Sequence, residues 1–135
     1  MIFDTDVLIW FFRGDRKAAQ LMESRPDRAV SIISFMELLQ GARSGAEIRV
    51  IRRFFPDHEF RVIPVNESIS HLAATFMEEH ALKDGLRVAD ALIAATARET
   101  VSVLATGNVP HFRTIAGLEL KRFRPTATSR NDRVR

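Results

Sequence analysis

Short apolar runs alternate along this chain with longer stretches whose apolar residues recur at helical spacing. Residues 1–3 form the first run, a strand, and residues 7–12 continue as a helix that Gly14-Asp15 ends. Ala18, Leu21 and Met22 share one face of a second helix over residues 16–24, closed by a turn at Pro26-Asp27. The β-branched run at 29–33 predicts a buried strand, after which Ser34 opens a helix limited by Gly41 or Gly45. A further helix over 47–55 stops at Pro56, and residues 60–63 form a strand closed by Pro64. From 67 to 81 the apolar positions 69, 72, 73, 76 and 77 line one helical face. Residues 89–97 are apolar nearly all round, which predicts a central buried helix. Residues 101–105 read as a strand and 118–121 as an edge strand. Strands alternating with helices predict an α/β fold, a three-layer α/β/α sandwich around a mostly parallel sheet. Ligands in such folds bind outside the carboxyl ends of the strands.

Composition changes this picture little. At 135 residues and 46% apolar content, the chain suits one domain with a real core. It contains no cysteine, which excludes a disulfide framework and a thiolate metal site. The start carries Asp4 and Asp6 and no basic segment, and runs such as VLIWFF are too short to span a bilayer. The expectation is a cytoplasmic protein without membrane contact. Charge matters more through its location. Residues 121–135 hold six basic residues against Asp132 alone, a net +5 that leaves −2 of the chain's +3 for residues 1–120. The case for a polyanionic partner therefore rests on the tail and on Arg49, Arg52 and Arg53. A solvated terminus explains the tail equally well. Nothing periodic follows Thr126, so 126–135 is expected to be a disordered basic tail behind a domain of residues 1–125.

Polar residues with chemical potential sit where the strands end. Asp4-Thr5-Asp6 follows the first strand, Ser34 to Glu37 the second, and Thr106-Gly107-Asn108 the fourth; Asp90 opens the apolar helix. Each has a purely structural reading. Asp4 or Thr5 caps the first helix, Ser34 and Glu37 form a capping box, and Asp90 caps the helix that follows it. Asn108 suits a turn, and Asp6 suits a helix first turn, where negative charge is favourable. Taken together the group asks for more. Asp90 lies among Val88, Ala89, Ala91, Leu92 and Ile93, and Asp4 follows Ile2-Phe3. A carboxylate in such surroundings is costly unless paired or bound to a cation. Carboxylates gathered in one cleft also repel one another, and a divalent cation removes that repulsion. Mg²⁺ takes hard oxygen ligands and supports phosphodiester hydrolysis.

The segments IFDTDVLIWFFRG, VSIISFMELLQGA, RVADALIAATA and VLATGNVPHF resemble the four motif blocks of PIN-domain ribonucleases, above all VapC-type toxins of toxin–antitoxin modules. The resemblance covers roughly residues 1–123. It implies a Mg²⁺- or Mn²⁺-dependent endoribonuclease with an RNA substrate, restrained by a cognate antitoxin and usually a homodimer. Carried onto this sequence, it implies that Asp4 and Asp90 hold the metal. Glu37 orients or deprotonates the attacking water, or reaches the metal through water. Thr5, Asp6, Ser34, Thr106 and Asn108 are supporting candidates, with Asp6 standing where the family often has Asn. The chain departs from the family at the last block, where Asn108 and His111 occupy the places of the fourth acid and bring no negative charge. That departure favours one held ion over two. His111 is either a phosphate donor or proton carrier, or an ordinary surface histidine.

Two other classes compete. A haloacid-dehalogenase-like phosphatase also places D-x-D after its first strand, but needs an acidic pair beyond the later Thr; only Glu119 and Asp132 follow Thr106. Phosphate-monoester turnover separates the two. A non-catalytic module binding RNA or protein would gain nothing from clustered acids, and would keep its activity when Asp4 and Asp90 became Asn. For an antitoxin contact the aromatic candidates are Trp10, Phe11, Phe12, Phe54 and Phe55, with core packing the alternative.

Overall fold

The computed structural model describes residues 1–126. Twelve elements follow in order: β1 (Ile2–Phe3), α1 (Thr5–Phe12), α2 (Arg16–Glu23), β2 (Ala29–Ser31), α3 (Ile32–Gln40), α4 (Gly45–Asp57), β3 (Arg61–Ile63), α5 (Glu67–Asp84), α6 (Val88–Glu99), β4 (Leu104–Thr106), α7 (Val109–Phe112) and β5 (Leu120–Arg122). The five strands form one sheet in the order β3-β2-β1-β4-β5, parallel at every pairing. The expected α/β/α sandwich is what forms. The chain builds outward from β1 through β2 to β3, then returns to the other side of β1 with β4. This reversal places the topological switch point between β1 and β4, where parallel sheets open a crevice at their carboxyl edge.

Strand alternation divides the core in two. Phe3, Val30 and Ala105 face a cluster with Val7, Leu8, Phe54, Phe55 and Phe60. Ile2, Ala29 and Leu104 face the opposite cluster, with Ile69, Phe76, Ile93, Ala94 and Phe112. Both clusters are dry, so the three central strands are buried on both faces, as parallel strands require. The α6 helix is the central buried one, with Ala91, Ala94, Ala95 and Ala97 inaccessible and small enough to let α5 pack closely. Gly85 ends α5 at φ 68°, a left-handed cap that favours glycine.

Several boundaries differ from expectation, for local reasons. The second strand stops at Ser31, whose hydroxyl caps α3 by accepting from the Ile33 amide at 3.0 Å. Ser34 therefore lies inside the helix, and the expected Ser34–Glu37 capping box does not exist. α1 begins at Thr5 because Asp4 accepts from the Thr5 amide at 2.8 Å. α4 runs through Pro56 and ends at Asp57, the proline falling in a last turn. Val101 has φ 51° and closes α6, so the fourth strand starts at Leu104 instead of 101. α7 was not expected. Thr126, first residue of the expected tail, donates through both its amide and its hydroxyl to Asp15, the N-cap of α2; the rest of the expected tail, 127–135, lies outside the described residues. Among the described residues, no helix is long and apolar enough to cross a membrane.

Phe54 and Phe55 are core residues, packed edge-on against each other, with Phe55 edge-on and Phe54 tilted against Phe60, which removes them from any partner-facing surface. Trp10 and Phe11 are half-buried against the same cluster, and Phe12 is exposed. Phe55→Ala should cost roughly 3–5 kcal/mol of stability, by lost burial plus the cavity left behind. Urea unfolding should show the midpoint falling with the slope unchanged.

Candidate active site

The three residues of Asp4-Thr5-Asp6 reach three different elements. Asp4 is 5% exposed and accepts from the Thr5 amide on Oδ1 and from the Thr106 hydroxyl on Oδ2, at 2.8 and 2.7 Å. The Thr106 hydroxyl in turn accepts from the Asn108 amide at 2.9 Å. The Thr5 hydroxyl donates to Glu37 Oε1 at 2.6 Å and lies 2.9 Å from Ser34 Oγ. Asp6 Oδ2 accepts from the Gly107 amide at 2.9 Å, while its Oδ1 is buried with no hydrogen-bond partner among the described residues. Asp90 is not the cap of α6, a place taken by Arg87; it is the third residue of that helix, where the first turn favours an anion. Its Oδ2 lies 3.5 Å from His111 Nδ1 on α7.

Glu37, in α3, thus gives up its expected capping role and faces the strand edge. Ser34 is fully buried beside it. The side chain of Asn108 stands exposed at the start of α7 and makes no capping bond there. Sequence reading missed Gly107 and left His111 undecided. The signal for Gly107 was its place directly after a strand end. A Cβ there would lie 2.5 Å from Asp6 Oδ2.

The electrostatics follow from burial. Desolvation, then the charge of Asp6, pushes the Asp4 carboxyl from 3.8 up to about 7, against the donors Thr106 and Thr5 and with a further push from Asp90. Burial raises Asp6 as well, opposed by the Gly107 amide. Burial likewise raises Asp90; His111 works against the rise and Glu37 adds to it. Four acids are therefore close enough to disturb one another in a partly dry cleft. Among the described residues, no three His, Asp or Glu side chains already converge as a metal cage. Mg²⁺ does not need one, because it is commonly held by one or two carboxylates and keeps several waters. The donor set of Asp4, Glu37 and Asp90 is all oxygen, and burial raises both Asp4 and Asp90. Such a set fits a hard divalent cation.

The raised acids set a pH dependence. Between 3.8 and about 7 the folded protein keeps a proton on Asp4 that the unfolded chain has released. Stability of the metal-free protein should therefore fall as pH rises through that window and level off above it. About three pK units correspond to an upper figure of roughly 4 kcal/mol. Asp6 and Asp90 act in the same sense. Urea midpoints in EDTA at pH 4, 5.5, 7 and 8 should show this decline, and Asp4→Asn should remove most of it. A midpoint rising from pH 4 to 7 in the wild type would contradict the assignment.

Comparison with known proteins bears on the family and the fold. The PIN domain family model matches residues 1–117. A toxin–antitoxin complex from Klebsiella pneumoniae contains a chain 31% identical, with 87% of this chain and 93% of that one covered at a TM-score of 0.73. Fold likeness extends to VapBC-1 of nontypeable Haemophilus influenzae, at 24% identity, 90% and 98% coverage and a TM-score of 0.73. It extends also to VapBC2 of Rickettsia felis bound to a promoter DNA fragment, at 20% identity, 92% and 100% coverage and a TM-score of 0.75. A search of curated proteins finds no match. PIN domains are generally nucleases. With its parallel sheet, its acids at the switch point and a family match over residues 1–117, the chain belongs to the PIN-domain family.

Proposed function

We propose that this protein is a divalent-metal-dependent endoribonuclease, the VapC-type toxin of a toxin–antitoxin pair. The observation that carries the proposal is the placing of Asp4, Glu37 and Asp90 at the carboxyl edge of the sheet, where Asp90 raises Asp4, Glu37 raises Asp90, and Thr5 ties Glu37 to the same junction. A Mg²⁺ or Mn²⁺ ion held by Asp4 and Asp90 would supply positive charge to a phosphodiester oxygen and lower the pKa of water. The protein's own groups do the rest. Thr106 and the Thr5 amide keep both Asp4 oxygens in place. The Thr5 hydroxyl fixes one Glu37 oxygen, leaving Oε2 to orient the attacking water and take its proton. Water adds to phosphorus, the bond to the leaving ribose oxygen breaks, and that oxygen takes a proton from solvent.

The antitoxin part of the proposal draws on the Klebsiella complex and on a surface beside the acids. A groove of about 650 Å³ runs from Glu37 between α1, α3 and α4, lined by Ile9, Phe12, Leu38 and Val50 with Arg13 and Arg43 at its rim. Ile9, Phe12 and Val50 are 38%, 39% and 59% exposed, an apolar surface suited to an antitoxin segment. A homodimer is part of the same proposal, and light scattering of the purified chain tests it.

Purified protein should cut total RNA into discrete fragments with Mg²⁺ and not with EDTA. Asp90→Asn and Glu37→Gln should each lower the rate by about 100-fold or more, the scale of a lost general base or metal contact. Cleavage unaffected by EDTA or by Asp90→Asn would sink the metal mechanism.

A further inference from the structure

Asp6 has no part in the chemistry just described, and a charge in a helix first turn would account for its presence. Three observations ask for more. Its Oδ2 accepts from the Gly107 amide, joining residues on α1 and on the turn after β4. Gly107 is held so close that any Cβ would meet Oδ2 at 2.5 Å, with the Phe123 carbonyl 3.5 Å away. Its φ lies outside the left-handed region, so a side chain at 107 would disturb the Asp6 contact and not the backbone conformation. Finally, Asp6 Oδ1 is buried with no hydrogen-bond partner among the described residues, which costs stability. A favourable dipole charge could sit at any exposed position of the first turn without that cost.

We propose that Asp6 is a positioning residue that latches the β4–α7 turn onto α1 through the Gly107 amide. The latched turn carries, on one side, the Thr106 hydroxyl that holds Asp4, and, on the other, α7 with His111 beside Asp90. Through one hydrogen bond Asp6 keeps both candidate metal-holding acids in register across the switch point. The inference rests on the reading of Asp4 and Asp90 as the metal-holding pair. It assigns Asp6 the bond and not the charge, so an amide oxygen at the same place serves as well.

The test uses the ¹⁵N-labelled full chain with Asp6→Ala, Asp6→Asn, Gly107→Ala and the Asp6→Ala/Gly107→Ala double variant. Hydrogen exchange at residue 107 is read without metal. The Mg²⁺ midpoint is read from the Thr5 and Ala91 amide shifts, and kcat and KM from RNA cleavage. Asp6→Ala should speed exchange at Gly107. It should also raise the Mg²⁺ midpoint and lower kcat by about 10-fold each, the scale seen when a group orienting a ligand is lost, with KM little changed. Asp6→Asn should recover all three readouts relative to Asp6→Ala. Gly107→Ala alone should resemble Asp6→Ala, and the double variant should be no worse than either single one, because removing the carboxylate makes room for the Cβ. The latch is overturned if Asp6→Asn is as impaired as Asp6→Ala, if Gly107 exchange ignores Asp6→Ala, or if the two substitutions add. A wild type that binds Mg²⁺ and responds as expected in exchange and midpoint, yet cuts no RNA, would retain the latch and defeat the nuclease reading instead.

Discussion

A carboxyl group 5% exposed at the end of a central strand has to be held by donors, by opposite charge or by a proton. Asp4 has two donors, Thr5 and Thr106, but burial and the charges of Asp6 and Asp90 outweigh them and push its carboxyl up to about 7. The rest of the site depends on this imbalance. The bond from Thr106 to Asp4 spans 102 residues of sequence and closes the crevice between β1 and β4, the point at which the sheet changes direction. Thr106 is itself locked by the Phe123 amide on its carbonyl, so the edge strand β5 helps to aim a side chain two strands away.

Three consecutive residues serve three elements because they sit where a strand becomes a helix. Successive side chains in the first turn of a helix point about 100° apart. Asp4 thus turns to β4, Thr5 to Glu37 and Ser34 on α3, and Asp6 to the turn before α7. The two carboxylates at the start of the chain have separate duties, and the threonine between them links the third acid to the same junction. A site assembled this way sits on rigid elements, which suits chemistry that depends on placement.

That arrangement costs the fold some stability. The buried Asp4 carboxyl, an Asp6 oxygen without a hydrogen-bond partner among the described residues, and exposed Ile9, Phe12 and Val50 beside the site are all unfavourable features of an isolated chain. The two dry clusters on either face of the sheet offset them. Local rules break at the candidate site, the pattern expected where stability and function compete.

The chain's own pattern carried the layer order. Apolar runs of strand length alternating with amphipathic stretches admit few folds other than a parallel sheet between helices, and Asp4 and Asp90 stand out as carboxylates set in apolar surroundings, with Glu37 singled out by the family resemblance. It could not determine which local bond each polar residue makes. Ser34 and Glu37 match a capping box by spacing, and only the early end of β2, with Ser31 taking the cap, releases Glu37 toward Thr5. Asp90 fits a helix cap by position, yet Arg87 stands there instead. The Asp6–Gly107 contact links positions 101 residues apart. Periodicity and spacing describe neighbours along the chain, whereas a hydrogen bond across the switch point exists only once β4 lies beside β1. Tertiary packing therefore decided which of several equally plausible partners each acid took.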